Sequence, residues 1–306
     1  MRAPAPTMGS IGYSRFRAIH SCKKRIGFKH SKGILSCMRV EVLAVGRELL
    51  IGKTVNTNAH WIGGRLARMG TRLSRITTVD DDLREISSSL RESLRRRPEI
   101  LVVVGGLGPT PDDMTLAGIA KGLHRRLAVN REALRMVRSH YVEMGRGNLK
   151  ITPARRKMAR LPRGATPLQN RVGTAAGVRL EVGTTVIFAL PGVPREMKSI
   201  FRESVEGEIR RRLGRLHTTT VILKLEGIFE STLAPILRKT MKRYPNVYIK
   251  SHPKGVEEGV SKIELDIVVV SKRKADSAKV SEKIASELKR QVAKAGGTVL
   301  STAGRS

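Results

Sequence analysis

Four carboxylates are placed where they could do chemistry together, because each follows closely on an apolar run that reads as a buried strand. Glu48 follows Arg39 to Val45, Asp81 follows Ile76 to Val79, and Asp112 and Asp113 follow Leu101-Val102-Val103-Val104. Between this last run and its carboxylates lie Gly105, Gly106 and Gly108, residues that let backbone come close to a ligand. A strand that passes through glycines into a helix start offers unpaired N–H groups and the positive end of a dipole, so phosphate is the natural guest. The carboxylates would repel that phosphate unless a divalent cation or a proton lay between them. The stretch Leu101 to Thr115 therefore points to phosphate and metal together. A plainer reading of the same residues is a tight connection in which Asp112, Asp113 or Thr115 caps the next helix.

The elements that must hold these turns are legible from apolar spacing. Val55, Ala59, Ile62, Leu66 and Met69 recur at helical intervals, with Asn56 or Thr57 as cap and Gly70 as stop. Asp80-Asp81-Asp82 ends the second strand and precedes Leu83, Ile86, Leu90 and Leu94, the apolar stripe of another helix; capping and favourable charge at the helix dipole are the plain reading of that triplet. Strands alternating with helices imply an α/β architecture: an open, mostly parallel sheet with helices on both faces, three layers in all. Ligands of such sheets sit at the carboxyl ends of the strands, so Glu48, Asp81 and the Gly105 to Asp113 turn should meet at one edge.

Farther along, residues 130–160 read as basic and helical, with apolar Leu134, Val137 and Tyr141 and a glycine-rich break at 145–147. The strand Thr185 to Leu190 opens into Pro191-Gly192-Val193-Pro194, a second candidate phosphate turn. Its following helix should bury Val193, Met197, Ile200, Val205 and Ile209, and Pro194 also suits a first helical turn with no ligand at all. Beyond residue 215 the pattern changes. Thr219 to Glu226 alternates, Ser231 to Tyr244 is helical, Val247 to Lys250 and Ile263 to Val270 are short strands, and Val280, Ile284, Leu288 and Val292 mark a final helix. That order suggests a small α+β domain over 216–306, ferredoxin-like or of the KH type. No GXXG loop stands between its helices, as RNA binding by a KH module would require. It is expected to be a packing or dimerisation unit that also shapes the substrate site.

Composition narrows the classes. No apolar run among the 306 residues approaches the ~20 needed to span a membrane, and no membrane partner is expected. Aromatic residues make up only 3% of the chain, against the ring platforms that bind single strands. The net charge of +33 points the other way, yet the basic residues are spread along the chain, so nucleic acid is a partner that no motif supports. Residues 1–37 hold eight Lys or Arg and no acidic residue; they read as a disordered basic extension, or as upstream of a true start at Met38, with a transit peptide as the other option. Cys22 and Cys37 both fall there, so no Cys/His zinc site is expected in the body, and a cytoplasmic location is compatible.

Taken in order, Gly46-Arg47-Glu48-Leu49-Leu50-Ile51-Gly52, Asn56-Thr57-Asn58-Ala59, Thr78-Val79-Asp80-Asp81-Asp82, Gly105-Gly106-Leu107-Gly108-Pro109-Thr110-Pro111-Asp112-Asp113, Asn170-Arg171-Val172-Gly173-Thr174-Ala175-Ala176-Gly177 and Pro191-Gly192-Val193-Pro194-Arg195-Glu196-Met197 resemble the successive motifs of the CinA-type, molybdopterin-binding-like domain. The resemblance runs over 38–215 and departs at Arg47 and Asp80, where the family commonly has threonine and glycine. It does not extend to the amidase domain of full-length CinA proteins, so amidase activity is not expected.

What it implies is metal-dependent hydrolysis of the pyrophosphate of ADP-ribose or a similar dinucleotide. The alternatives are molybdopterin binding with adenylyl transfer, as in related molybdenum-cofactor enzymes, and a non-catalytic nucleotide or RNA binder. On the first reading Asp81 and Asp113 are catalytic, and Asp81, Asp112 and Asp113 hold a divalent Mg, Mn or Co ion, with a monovalent cation as a further candidate. Glu48 is a weaker candidate for ligand or base; Gly105, Gly106 and Gly108 admit phosphates, Thr174 and Gly192 complete the cradle, and Asn56 or Asn58 bonds sugar or base. The implied partner is a nucleotide or pterin phosphate, and the implied assembly a homodimer.

Overall fold

The computed structural model describes residues 38–145, 150–214, 216–257 and 260–305. The readings of residues 1–37, including Cys22 and Cys37, and of the glycine break beyond Gly145 lie outside them. The first part of the chain runs β1 (Val40–Val45), α1 (Arg47–Leu50), α2 (Thr57–Arg68), β2 (Leu73–Val79), α3 (Leu83–Arg95), β3 (Ile100–Val104), α4 (Thr115–Gly122), β4 (Leu127–Val129), α5 (Arg131–Glu143), α6 (Pro153–Lys157), β5 (Arg160–Pro162), β6 (Thr166–Leu168), β7 (Gly177–Val182), β8 (Thr185–Leu190), α7 (Pro194–Ile200) and α8 (Glu206–Leu213). Six of these strands form one sheet in the order β2-β1-β3-β8-β7-β6. The four neighbours β2, β1, β3 and β8 are parallel, and β7 and β6 extend the sheet antiparallel. This is the three-layer α/β architecture expected from the alternation of strands and helices.

Both faces of the sheet are buried, which is why its central strands are apolar at nearly every position. Successive residues of β1 alternate between the two cores. Leu43 and Val45 pack with Leu101, Val103, Ile86, Leu90 and Ile119 on one face, and Val40 and Val42 with Val102, Phe188, Ile62, Leu66 and Phe201 on the other. Side-chain caps start the helices where the sequence offers them: Asn56 accepts from Ala59 N–H, Asp82 from Arg84 and Glu85, and Asn130 from Ala133. Val193 is a correction. It stands at the cap position before Pro194 with 54% of its surface exposed, because extended backbone there turns it away from the face buried by Met197 and Ile200. A π-helical turn over Phe201–Val205 joins α7 to α8 and keeps both of its end residues buried.

The rest of the chain runs β9 (His217–Glu226), α9 (Glu230–Arg243), β10 (Val247–Glu257), β11 (Val260–Ser271), α10 (Lys274–Lys294) and β12 (Thr298–Arg305). These strands form an antiparallel sheet in the order β10-β11-β9-β12, the βαββαβ pattern of the ferredoxin-like fold rather than the KH type. β10 and β11 are longer than their apolar cores suggested. Pro253 ends the readable part of β10, and the ladder continues past it through a register shift at Pro253/Gly255. The alternation that marks β9 is too weak in Thr298–Arg305 to reveal β12, whose Leu300 is half exposed. Among the described residues no helix is long and apolar enough to cross a membrane.

Candidate functional site

The chain leaves β1 for β2 on one side and later returns to place β3 on the other. The strand order therefore reverses between β1 and β3, and a crevice opens at their carboxyl ends. A cleft of about 270 Å³ occupies that point. Glu48, Asn56, Asn58, Asp81, Gly105, Gly106, Asp112, Asp113 and Gly192 all line it, so the expected gathering at one edge is found. Gly108 and Thr174 are corrections: neither lines the cleft. Nor, among the described residues, does any beyond Pro194, so the ferredoxin-like part is not found to shape it as expected.

Close packing explains the glycines before any ligand does. Gly105 has φ +109°, and a Cβ there would lie 2.1 Å from the Val45 carbonyl oxygen, so only glycine lets the ends of β1 and β3 come this near. Its N–H donates to Leu190 O at 3.0 Å, tying β3 to β8, and Gly46 N–H donates to Val79 O at 3.1 Å, tying β1 to β2. The Thr115 hydroxyl donates to Gly105 O at 2.7 Å, and Thr115 N–H to Gly106 O at 3.2 Å. The Gly106 N–H meets no acceptor among the described residues and is the donor this turn leaves for an anion. Gly108 instead makes room for Asp113, since a Cβ there would lie 2.6 Å from its Oδ2.

The carboxylates share the cleft but not a common point. Asp113 Oδ2 accepts from the Thr110 N–H at 2.8 Å and from the Thr110 hydroxyl. Asp81 Oδ2 accepts from the Arg47 N–H at 2.9 Å. Among the described residues no group of three or more His, Cys, Asp or Glu is disposed to hold a metal ion. The expected set Asp81, Asp112 and Asp113 is therefore not assembled as a metal cage, because two of the three carboxylates are turned onto local backbone donors. Burial pushes the Asp81 carboxyl above its ordinary range; the Arg47 N–H opposes this, and the negative charges of Glu48, Asp112 and Asp80 add to it. Of the triplet, only Asp82 acts as the helix cap.

The amides are more informative. Asn56 Oδ1 caps α2 by accepting from Ala59 N–H at 3.0 Å, which leaves its Nδ2 buried without a partner. Asn58 Nδ2 donates to Gly192 O at 2.7 Å, pinning the second turn, and leaves its Oδ1 likewise buried and unpartnered. One donor and one acceptor thus lack partners in the wall of the cleft, where buried polar atoms are otherwise nearly always satisfied. Sequence reasoning assigned no role to Asn170 and Glu196, although both stand in quoted motifs. Asn170 Nδ2 donates to Glu196 Oε2 at 2.7 Å and to Ala175 O at 2.8 Å, while its Oδ1 accepts from the Val172 and Gly173 N–H groups. The pair locks the Thr174 loop to α7, outside the cleft.

A family model described as a probable molybdopterin binding domain matches residues 41–211, the span that contains the large sheet's parallel strands and every residue of the cleft. The chain belongs to this family. Curated relatives follow the chain well past the molybdopterin-binding domain. A protein of Pyrobaculum arsenaticum is 40% identical over 261 residues, 85% of this chain and 97% of that protein. One of Metallosphaera sedula is 44% identical over 259 residues, 85% and 96% of the respective lengths. The crystal structure of the protein CinA, of unknown function, from Thermoplasma acidophilum aligns with a TM-score of 0.51 at 39% identity, covering 58% of this chain and 99% of that one. The two departures from the expected molybdopterin-binding-domain motifs are partners of one another: Arg47 Nε lies 2.9 Å from Asp80 Oδ1 at the rim of the cleft.

Proposed function

We propose that the cleft binds a phosphorylated pterin of the molybdopterin class and serves adenylyl transfer to it, the alternative that family membership favours over ADP-ribose hydrolysis. The observation that carries this reading is the buried pair Asn56 Nδ2 and Asn58 Oδ1, a donor and an acceptor without partners. A fused ring with amide-like edges supplies the complementary acceptor and donor, and a ligand that lacked them would leave both atoms unpaired. The ligand's phosphate would take the Gly106 N–H and the Asn58 N–H at the start of α2, neither of which meets an acceptor among the described residues. Mg²⁺ characteristically takes one or two carboxylates together with substrate phosphates rather than a cage of protein groups. Cation binding is accordingly expected only when a phosphorylated ligand is present, with Asp81, Asp112 or Glu48 as the protein's contribution. Self-association as a homodimer belongs to the same proposal and is checked by sedimentation velocity.

Hydrolysis of a pyrophosphate of the ADP-ribose kind is kept as a second reading on one observation, the raised carboxyl of Asp81 in the same cleft, a group suited to exchanging a proton. The two reactions differ in what they consume. Adenylyl transfer converts ATP and a pterin phosphate into an adenylylated pterin and pyrophosphate, whereas hydrolysis converts ADP-ribose and water into AMP and ribose phosphate. Incubation with each substrate set, with and without Mg²⁺, followed by chromatography, separates them. Pyrophosphate release that requires the pterin supports the proposal. AMP from ADP-ribose that is lost in Asp81→Asn, with no use of pterin, would replace it by the second reading.

A further inference from the structure

A second cleft, of about 330 Å³, lies far along the chain from the first, between the end of α9 and the C-terminal half of α10. It is lined by Arg243, Lys283, Glu287, Arg290, Gln291 and Lys294. Its one carboxylate is fully engaged: Glu287 Oε1 pairs with Arg243 at 3.3 Å and accepts from Gln291 Nε2 at 3.1 Å, while Oε2 accepts from the Tyr244 hydroxyl at 3.1 Å. Lys283, Arg290 and Lys294 are exposed, and among the described residues none of them forms an ion pair within 4.0 Å. Seven and four residues apart, they fall within roughly 40° of one another on one side of α10 and span about 16 Å along it. Arg243 is accounted for by Glu287 and by the C-terminal dipole of α9; the three cations of α10 are not.

We infer that this cleft is a binding site for the phosphate backbone of nucleic acid, engaged without regard to base sequence. An unneutralised row of cations seeks a polyanion that presents charge at repeated intervals, and a nucleic-acid strand does so. α9 and α10 together carry ten Lys or Arg against four Asp or Glu, so the field around the cleft has the same sign as its floor. The aromatic group nearest the site is Tyr244, whose hydroxyl is held by Glu287 and whose ring lies beneath the Arg243 guanidinium at 5.6 Å. With that ring covered no base can stack on it, so any strand is held by backbone charge alone. The site stands apart from the cleft of the large sheet and does not depend on what binds there.

The test is fluorescence anisotropy of a labelled 20-nucleotide oligouridine with the full chain, titrated over a range of salt concentrations. The logarithm of affinity falls with the logarithm of salt at a slope of about −0.7 per neutralised phosphate on a single strand. Lys283→Gln/Arg290→Gln/Lys294→Gln should therefore make the slope shallower by about 2 and weaken binding roughly tenfold or more at low salt. Arg131→Gln/Arg135→Gln/Arg138→Gln on α5 removes the same charge from exposed positions elsewhere and should leave the slope as it was. Equal losses in the two variants would mean that overall charge alone binds the strand, and would overturn the site. So would an unchanged slope in the α10 variant, or displacement of the strand by tripolyphosphate at matched phosphate concentration, which would assign the cleft to small polyphosphates. If the triple variant fails to fold, Arg290→Gln alone should still lower the slope by about 0.7, and no change in it counts against the site.

Discussion

The large sheet and the small one end their strands in opposite ways. In the large sheet β1, β3 and β8 run parallel and stop together, so their carboxyl ends converge on a crevice where the chain must turn away within a few residues. There the backbone is crowded enough to demand Gly105, and two amide atoms and the Gly106 N–H are left without partners. In the small sheet every pairing is antiparallel, and strand ends of opposite direction interleave rather than converge on one edge. Its one buried side-chain atom without a partner is the Thr218 hydroxyl, among the described residues. The cleft proposed for binding there lies on the outside, among charges borne by helices. Parallel strand ends thus gather unpartnered polar atoms at one sheet edge, whereas in the antiparallel region the unpaired charges stand on a helix face.

The most disruptive way to break this contrast is to add a methyl group at a positive-φ glycine in each sheet. Gly105→Ala would force a Cβ to within 2.1 Å of the Val45 carbonyl oxygen and should cost about 3 kcal/mol or more, seen as a large drop in Tm. Gly255→Ala has a similar φ of +104° but nothing within 4 Å, so only backbone strain of about 1–2 kcal/mol is expected. Equal losses at the two sites would show that crowding at the crevice is not what selects glycine there.

Next in size is a change that spares the fold and removes one unpartnered atom. Asn56→Ser keeps an oxygen able to cap α2 and deletes the Nδ2 donor without adding charge to the cleft. It should cost no more than about 1 kcal/mol of stability, while ligand affinity falls roughly 10- to 100-fold.

Acid should weaken the large-sheet region through Glu208. Burial opposes its charge, but hydrogen bonds from Arg211 and Arg212 win and lower its pKa from 4.5 to about 2. A depressed carboxylate contributes stability that is complete above the unfolded value and is lost as pH falls through the folded one. Tm should therefore decline between about pH 4.5 and pH 2, and Glu208→Gln should flatten that decline; an equally steep decline in the variant would assign the loss to other groups. The smallest effect expected is at the rim. Arg47 is exposed and Asp80 half-buried at the surface, and a double-mutant cycle of Arg47→Thr and Asp80→Gly should give no more than about 1 kcal/mol of coupling in stability. A larger coupling would mean that the pair holds the turn after β1 in place.

Much of the crevice was legible in the sequence because its causes are local. A strand that ends in glycine, a carboxylate two residues on and a capping asparagine are each visible in a short window, and parallel topology brings them to one edge. What stayed hidden depends on contacts between distant residues. Asn58 reads as a generic helix-start residue until its amide is seen holding Gly192 O, a hundred and thirty-four residues away. Asp81 is likewise held by the Arg47 N–H thirty-four residues away, whereas the turn in which Thr110 takes the Asp113 carboxylate is local and lies within the quoted motif. Val193 misled because it continues the apolar period of α7 while standing one residue outside the helix. The basic cleft of α9 and α10 was invisible because α10 was read only from its buried stripe, and its exposed cations gain meaning when α9 ends beside them.

The central claim is that the unpartnered amide atoms of the crevice await a phosphorylated ring ligand, and isothermal titration calorimetry tests it most directly. A pterin monophosphate would be titrated with Mg²⁺ into the wild-type protein and into Asn56→Ser. The account predicts a saturable one-site isotherm in the wild type, no Mg²⁺ binding without the pterin, and affinity at least tenfold weaker in the variant. Equal affinity in the two proteins, or no pterin binding in either, would contradict it.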